Sequence, residues 1–113
     1  MSTELKQISL SRQVRNGRCG TKHKLLIRYF EACDNIANGL TREQARRIYV
    51  SVFNVIMETV CDDLIAKCWR GWCLDNIGKP LSMLKRLSFS ESEKQEVKKL
   101  EAKMRLLSRY FLR

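Results

Sequence analysis

Cys68-Trp69-Arg70-Gly71-Trp72-Cys73-Leu74-Asp75-Asn76-Ile77-Gly78-Lys79-Pro80-Leu81-Ser82-Met83-Leu84-Lys85-Arg86-Leu87 is the stretch on which the fold class turns. Trp72 and Leu74 alternate with Cys73 and Asp75, and Asp75-Asn76 and Gly78 carry turn chemistry. Pro80 lacks an N–H and its ring clashes with the preceding turn, which bars it from a helix interior. The pattern predicts a short hairpin with Leu81 to Leu87 as its return strand. The expected class is α+β and helix-dominated, with two N-terminal helices, a short β-hairpin and a long C-terminal helix.

Upstream of the hairpin the apolar period is helical. Leu25, Leu26, Tyr29, Phe30, Cys33, Ile36 and Ala37 keep one face apolar. Asn38-Gly39 is expected to end this helix, because glycine accepts the left-handed conformation of many helix ends. A second helix should start at Thr41, whose hydroxyl can cap free amides while Gln44, three residues on, reaches back. Ala45, Ile48, Tyr49, Val52, Phe53, Ile56, Val60 and Leu64 form its core face, with Arg42, Arg46 and Arg47 off the stripe and facing solvent or a partner.

Downstream, Ser88 and Ser90 each have a glutamate three residues on, Glu91 and Glu93, so the last helix opens at one of them. Val97, Leu100, Met104, Leu107 and Phe111 step by three and four, the spacing of a narrow packing seam. That seam either folds back onto the same chain or meets an oligomer or partner. Residues 1–20 mix polar and basic side chains around the turn-rich Asn16-Gly17-Arg18-Cys19-Gly20, and read as a flexible basic arm. The expected organisation is this arm, a helical pair with hairpin over 21–87, and an amphipathic helix over 88–113.

The formal net charge is +10, and it is unevenly placed. Residues 1–24 hold six Lys/Arg against one Glu, residues 79–113 ten against four, and residues 25–78 six against seven acids. Basic ends on a near-neutral middle suit a polyanionic partner. One candidate strip is Arg12, Arg15, Arg18, Lys22 and Lys24; another is Lys85, Arg86, Lys98, Lys99, Lys103 and Arg105, with Trp69 and Trp72 between them either as platforms for bases or, as is more usual for tryptophan in so small a domain, as core residues.

Five cysteines, Cys19, Cys33, Cys61, Cys68 and Cys73, are read as reduced, core-filling thiols of a cytosolic protein. No C-x-x-C pair exists and His23 is the only histidine, so no metal or cofactor is expected. The chain has no G-x-S-x-G, P-loop or H-E-x-x-H motif, and Asp62-Asp63, being adjacent, diverge on a helix. No catalytic residue is expected. Apolar runs are too short to cross a bilayer and the N-terminus lacks a secretory apolar block, which implies a cytoplasmic, non-membrane protein.

From Lys24 to Arg86 the order of features resembles the HU and integration-host-factor family in its divergent phage-encoded form. The resemblance lies in the first helix, the break before Gly39-Leu40-Thr41-Arg42-Glu43-Gln44-Ala45, a second helix rich in Val, Phe and Ile, and Gly71-Trp72-Cys73-Leu74-Asp75-Asn76-Ile77-Gly78 as a strand entering its turn. The family's long β-arm with its wedge proline has no counterpart, since the chain passes from Arg86 into the capped last helix. The resemblance implies a non-catalytic, homo-oligomeric nucleic-acid-associated protein with DNA preferred to RNA. Arg42, Arg46, Arg47, Lys85 and Arg86 would join the N-terminal strip on phosphates. The second expectation is a structural subunit of a phage virion near the portal and tail, or of another large assembly. Either would act in the host cytoplasm or a virion.

Overall fold

The computed structural model of the chain describes residues 3–18, 20, 21 and 24–112. Six helices account for its regular structure: α1 (Thr3–Arg15), α2 (Lys24–Ala37), α3 (Arg42–Val60), α4 (Lys67–Asp75), α5 (Gly78–Leu87) and α6 (Glu91–Phe111). The described residues contain no strand, so the class is all-α and the expected hairpin is absent.

The reason lies in residues 68–87 themselves. Trp69, Cys73, Ile77, Leu81 and Leu84 are all buried, and their spacing of four, four, four and three is helical. The alternation around Trp72 is incidental: Trp72 is 48% exposed and Cys73 fully buried. Pro80 falls in the first turn of α5, where its missing N–H has no helical acceptor to forfeit. Short turns closed by Asn76 N–H to Cys73 C=O and Ile77 N–H to Leu74 C=O join α4 to α5. The stretch that stood for a strand and turn in the family resemblance is therefore helix and helix junction.

α3 is the hub, touching every other helix. Thr41 caps it as its sequence predicts, its hydroxyl accepting from Gln44 N–H while the Gln44 side chain accepts from Thr41 N–H. Its buried face is Ala45, Tyr49, Val52, Phe53, Ile56 and Val60, with Ile48 half-buried. The helix stops at Val60 rather than running to Leu64, which is 94% exposed in the following loop. α2 ends at Ala37 without a left-handed glycine: no described glycine has positive φ, and Gly39 N–H and Leu40 N–H simply turn back onto Ile36 and Ala37 carbonyls.

The expected arm is helical from Thr3 to Arg15, and it packs on α2 and α3. Leu10 and Val14, four residues apart, enter the main core beside Leu26, Tyr29, Phe53 and Ile56. Trp69 fixes the end of α1, its indole N–H donating to Val14 C=O at 2.7 Å. Trp69 is thus a core residue and unavailable for stacking on bases. Among the cysteines, Cys33, Cys61 and Cys73 are free thiols, but Cys68 is disulfide-bonded, so the five do not form one reduced pool.

α6 opens at Ser90, not Ser88, with Ser90 and Glu93 forming the capping box. Ser88 is buried and donates to Leu84 C=O. α6 runs in the same direction as α3, because both ends of the pair are tied. At the start, Arg42 reaches Glu93 at 2.8 Å and Arg46 bridges to Glu93 and Glu96 at 3.4 Å. At the finish, Arg70 from α4 donates to Val60 C=O at 2.8 Å and Phe111 C=O at 2.6 Å.

Glu93 concentrates these contacts. It accepts from Ser90 N–H, from Phe89 N–H and from Arg42, in that order of effect, and its carboxyl is held down to about 2 against an ordinary 4.5. A depressed carboxyl contributes stability that is complete above its unfolded pKa and lost as pH falls through the folded one. Wild type should therefore lose stability between pH 4.5 and about 2. Glu93→Gln should start less stable at neutral pH and fall less across that window. Urea midpoints measured through the window check this, and parallel curves for the two proteins would refute it.

Candidate nucleic-acid interface

The fold sorts the basic residues into neutralised and free sets, and the sorting cuts across the sequence-based groups. Arg42 is engaged three ways, on Glu93, on Leu87 C=O at 2.8 Å and over the Phe89 ring at 4.6 Å. Arg46, expected at the surface, is buried between Glu93, Glu96 and Ser88. Its stem covers the α3–α6 contact while its guanidinium stays paired, which is how an arginine tolerates burial. Arg15 bonds Asp62 at 2.8 Å and faces Glu58, and the Arg15 bond holds the Asp62 carboxyl below its usual range, helped by Leu64 N–H. Lys85 meets Glu101 at 3.2 Å. Arg47 remains exposed on α3, with a within-helix contact to Glu43.

Of the N-terminal strip, Arg12 and Arg18 line one shallow depression where α1 gives way to α2, together with Gln13, Asn16 and Thr21. Lys24 opens α2 and is exposed. Lys22, with Cys19 and His23, lies outside the described residues. Arg86 is exposed at the end of α5, with its guanidinium 3.8 Å from the Met83 sulfur. No carboxylate pairs with Arg12, Arg18, Lys24 or Arg86 among the described residues.

The seam of α6 is used within the chain. Val97 is buried against Ala37, Ala45, Tyr49 and Leu84, and Leu100, Met104 and Leu107 pack partly buried on the core. Phe111 is half-buried and held through its carbonyl by Arg70. With these five turned inward, helical geometry forces the opposite arc of α6 outward. That arc carries Lys98, Lys99, Ala102, Lys103, Arg105, Leu106, Arg109 and Tyr110, every one exposed.

Charge on this arc is almost entirely positive. From Val97 onward the helix holds one acid, Glu101, which is 20% exposed and turned toward Lys85 and Arg105. Lys98, Lys99 and Lys103 have no carboxylate partner among the described residues. The sequence suggests these lysines as a basic strip and Leu106 and Tyr110 as a widening of the packing seam, but both apolar side chains face outward instead, 70% and 67% exposed. The signal was available as the residues left over once the seam is assigned to one face.

The remaining chemistry is muted. Burial pushes the Cys33 and Cys73 thiols up to about 12, so both are protonated at neutral pH and poor nucleophiles. A cleft of about 250 Å³ between α2, α3 and α5 has apolar walls including Phe30 and Met83. Its Tyr49 hydroxyl donates to Asp34 at 2.6 Å, and burial raises the Tyr49 pKa, leaving a neutral structural donor. Among the described residues no His/Cys/Asp/Glu group is placed to hold a metal, and no helix is long and apolar enough to cross a membrane. Comparison with family models, curated proteins and solved structures gives no match for this chain.

Proposed function

We propose that this protein is a non-catalytic nucleic-acid-binding module whose principal contact is the outward arc of α6. The observation that carries the reading is the row of exposed lysines, Lys98, Lys99 and Lys103, that have no carboxylate partner among the described residues, while Arg15, Arg42, Arg46 and Lys85 are paired internally. Such lysines neutralise phosphates and release counterions, which needs no sequence readout. The Arg12 and Arg18 depression supplies a second, smaller contact. The module acts in a host cytoplasm or a virion, and the disulfide at Cys68 favours the more oxidising of these surroundings.

Salt dependence tests it. The three lysines of the arc imply a log-affinity against log-salt slope of about −2 on a single strand, or ~20-fold weaker binding at ~200 mM than at ~50 mM salt. The triple substitution of Lys98, Lys99 and Lys103 to glutamine should flatten the slope by about 2. Fluorescence anisotropy with a labelled oligonucleotide reads both. Binding that ignores salt, or a triple variant matching wild type, would overturn the reading.

A second reading, a subunit of a large assembly, draws on the outer face of α1 and α2, where Leu5 is 58%, Ile8 44% and Ile27 41% exposed. Assembly through that face would survive the lysine substitutions and strengthen with salt.

A further inference from the structure

We infer that the cleft between α2, α3 and α5 binds a small zwitterion, an α-amino acid whose apolar side chain is of the size of leucine, methionine or phenylalanine. The site is separate from the α6 arc, and the inference does not rest on the nucleic-acid reading.

The cleft exists because α2 and α5 both pack on α3 and share little contact with each other. Each helix turns one face into the gap through residues three or four apart: Phe30 and Asp34 from α2, Tyr49 and Val52 from α3, Lys79 and Ser82 from α5. Phe30, Val52 and Met83 make the walls apolar. A dry apolar cavity of about 150 Å³ accepts one benzene, and a drug-sized ligand needs about 300 Å³ or more. At about 250 Å³ the cleft holds one ring or branched aliphatic group with a short polar head.

Charge specifies the head. Asp34 and Lys79 border the same cleft, yet neither forms an ion pair with the other or with any other described residue. Tyr49 is buried, and its hydroxyl donates to the Asp34 carboxylate at 2.6 Å. That bond orients the carboxylate and leaves it lone pairs for an incoming ammonium. The Lys79 ammonium stands over the Phe30 ring, 5.8 Å from its centroid, which holds a cation above an apolar wall.

A lone amine would meet Asp34 but be repelled by Lys79, and a lone carboxylate would face the reverse conflict. A ligand carrying both charges satisfies both groups. Because the volume leaves room for only a short head, the two charges must sit close together, as they do on the α-carbon of an amino acid. Tyr49 and Phe30 fix the site's own charges before binding, which lowers the ordering cost.

The test titrates the full, isotope-labelled chain with L-leucine, L-methionine and L-phenylalanine and follows amide shifts by NMR. Each is set beside the amine that lacks its carboxylate and the acid that lacks its amine; for phenylalanine these are phenethylamine and hydrocinnamate. Glycine supplies the head alone. At least one of the three amino acids should bind with a Kd of about 10 µM to 1 mM, shifting the amides of Asp34, Tyr49, Lys79 and Ser82. Its amine, its acid and glycine should each bind about 10-fold more weakly or worse. Asp34→Asn should weaken the amino acid about 5- to 20-fold and spare the acid, whereas Lys79→Gln should weaken it similarly and spare the amine. A merely structural role would not give these opposite patterns. Both side chains are exposed, so circular dichroism should show both variants as folded as wild type.

No amide shift with any of the three amino acids at about 10 mM would overturn the inference. So would an amine or acid that binds as tightly as its parent amino acid, or variants that bind like wild type. Shifts confined to residues away from the cleft would place the ligand elsewhere and overturn it too.

Discussion

Replacing Gly17 with alanine is expected to cost about 3 kcal/mol. A Cβ at Gly17 would overlap Nε1, Cε2 and Cδ1 of the Trp69 indole, far inside van der Waals contact. That ring cannot simply swing away, because Trp69 is 1% exposed and its N–H is committed to Val14 C=O at 2.7 Å. Either the indole leaves its bond and its pocket, or the end of α1 lifts off the core with Val14. Both routes sacrifice a buried hydrogen bond and close packing together.

The neighbouring glycines supply the contrast. Gly20 and Gly71 have open space where a Cβ would go. Gly71 lies inside α4, so Gly71→Ala should stabilise by about 0.5–1 kcal/mol through helix propensity. Urea unfolding followed by far-UV circular dichroism distinguishes the three. A Gly17→Ala midpoint equal to wild type would show that the turn after α1 yields freely and that the indole contact carries no stability.

Arg70→Met should be nearly as damaging, at about 3 kcal/mol. Arg70 is buried, and its guanidinium satisfies the carbonyls of Val60 and Phe111 while standing 3.6 Å from Asp63. Methionine fills the aliphatic volume and removes every donor, which leaves two helix-end carbonyls short of partners. The two ends should respond differently. Val60 is fully buried in the core and stays packed, whereas the end of α6 is only partly buried there, through Leu107 and Leu112, so its last turn should fray first. Amide exchange should rise across residues 105–112 more than across α3. Equal change in both helices would mean that Arg70 supports the whole fold rather than the α6 terminus.

Much of the local architecture could be read from letters alone. Capping depends on residues three apart, so Thr41 with Gln44 and Ser90 with Glu93 announce two helix starts without any knowledge of the fold. The faces of α2 and α3 are likewise legible because apolar period and burial coincide there. Residues 68–87 misled because Gly, Pro and Asp-Asn are junction chemistry, and helix junctions use the same residues as hairpins. The discriminating pattern, Trp69 through Leu84 at steps of four and three, crosses the α4–α5 boundary and becomes visible only if the turn is read through. The N-terminal segment misled for another reason: Leu10 and Val14 are two apolar residues in a polar stretch, too few to signal a helix that gains its stability from the core it joins.

By itself, then, the chain's sequence determined the starts of two capped helices, the apolar seam along the second of them, and a basic surplus gathered at both ends, since each follows from interactions spanning a few residues or from composition; that the seam turns inward was decided by packing. Which of those cations stay free was decided only in three dimensions. Glu93 and Glu96 stand some fifty residues from Arg42 and Arg46, and Asp62 stands forty-seven from Arg15. Ion pairing depends on distance in space, and only the packing of α6 and α1 on α3 brings those charges within reach while leaving Lys98, Lys99 and Lys103 exposed and without a carboxylate partner among the described residues.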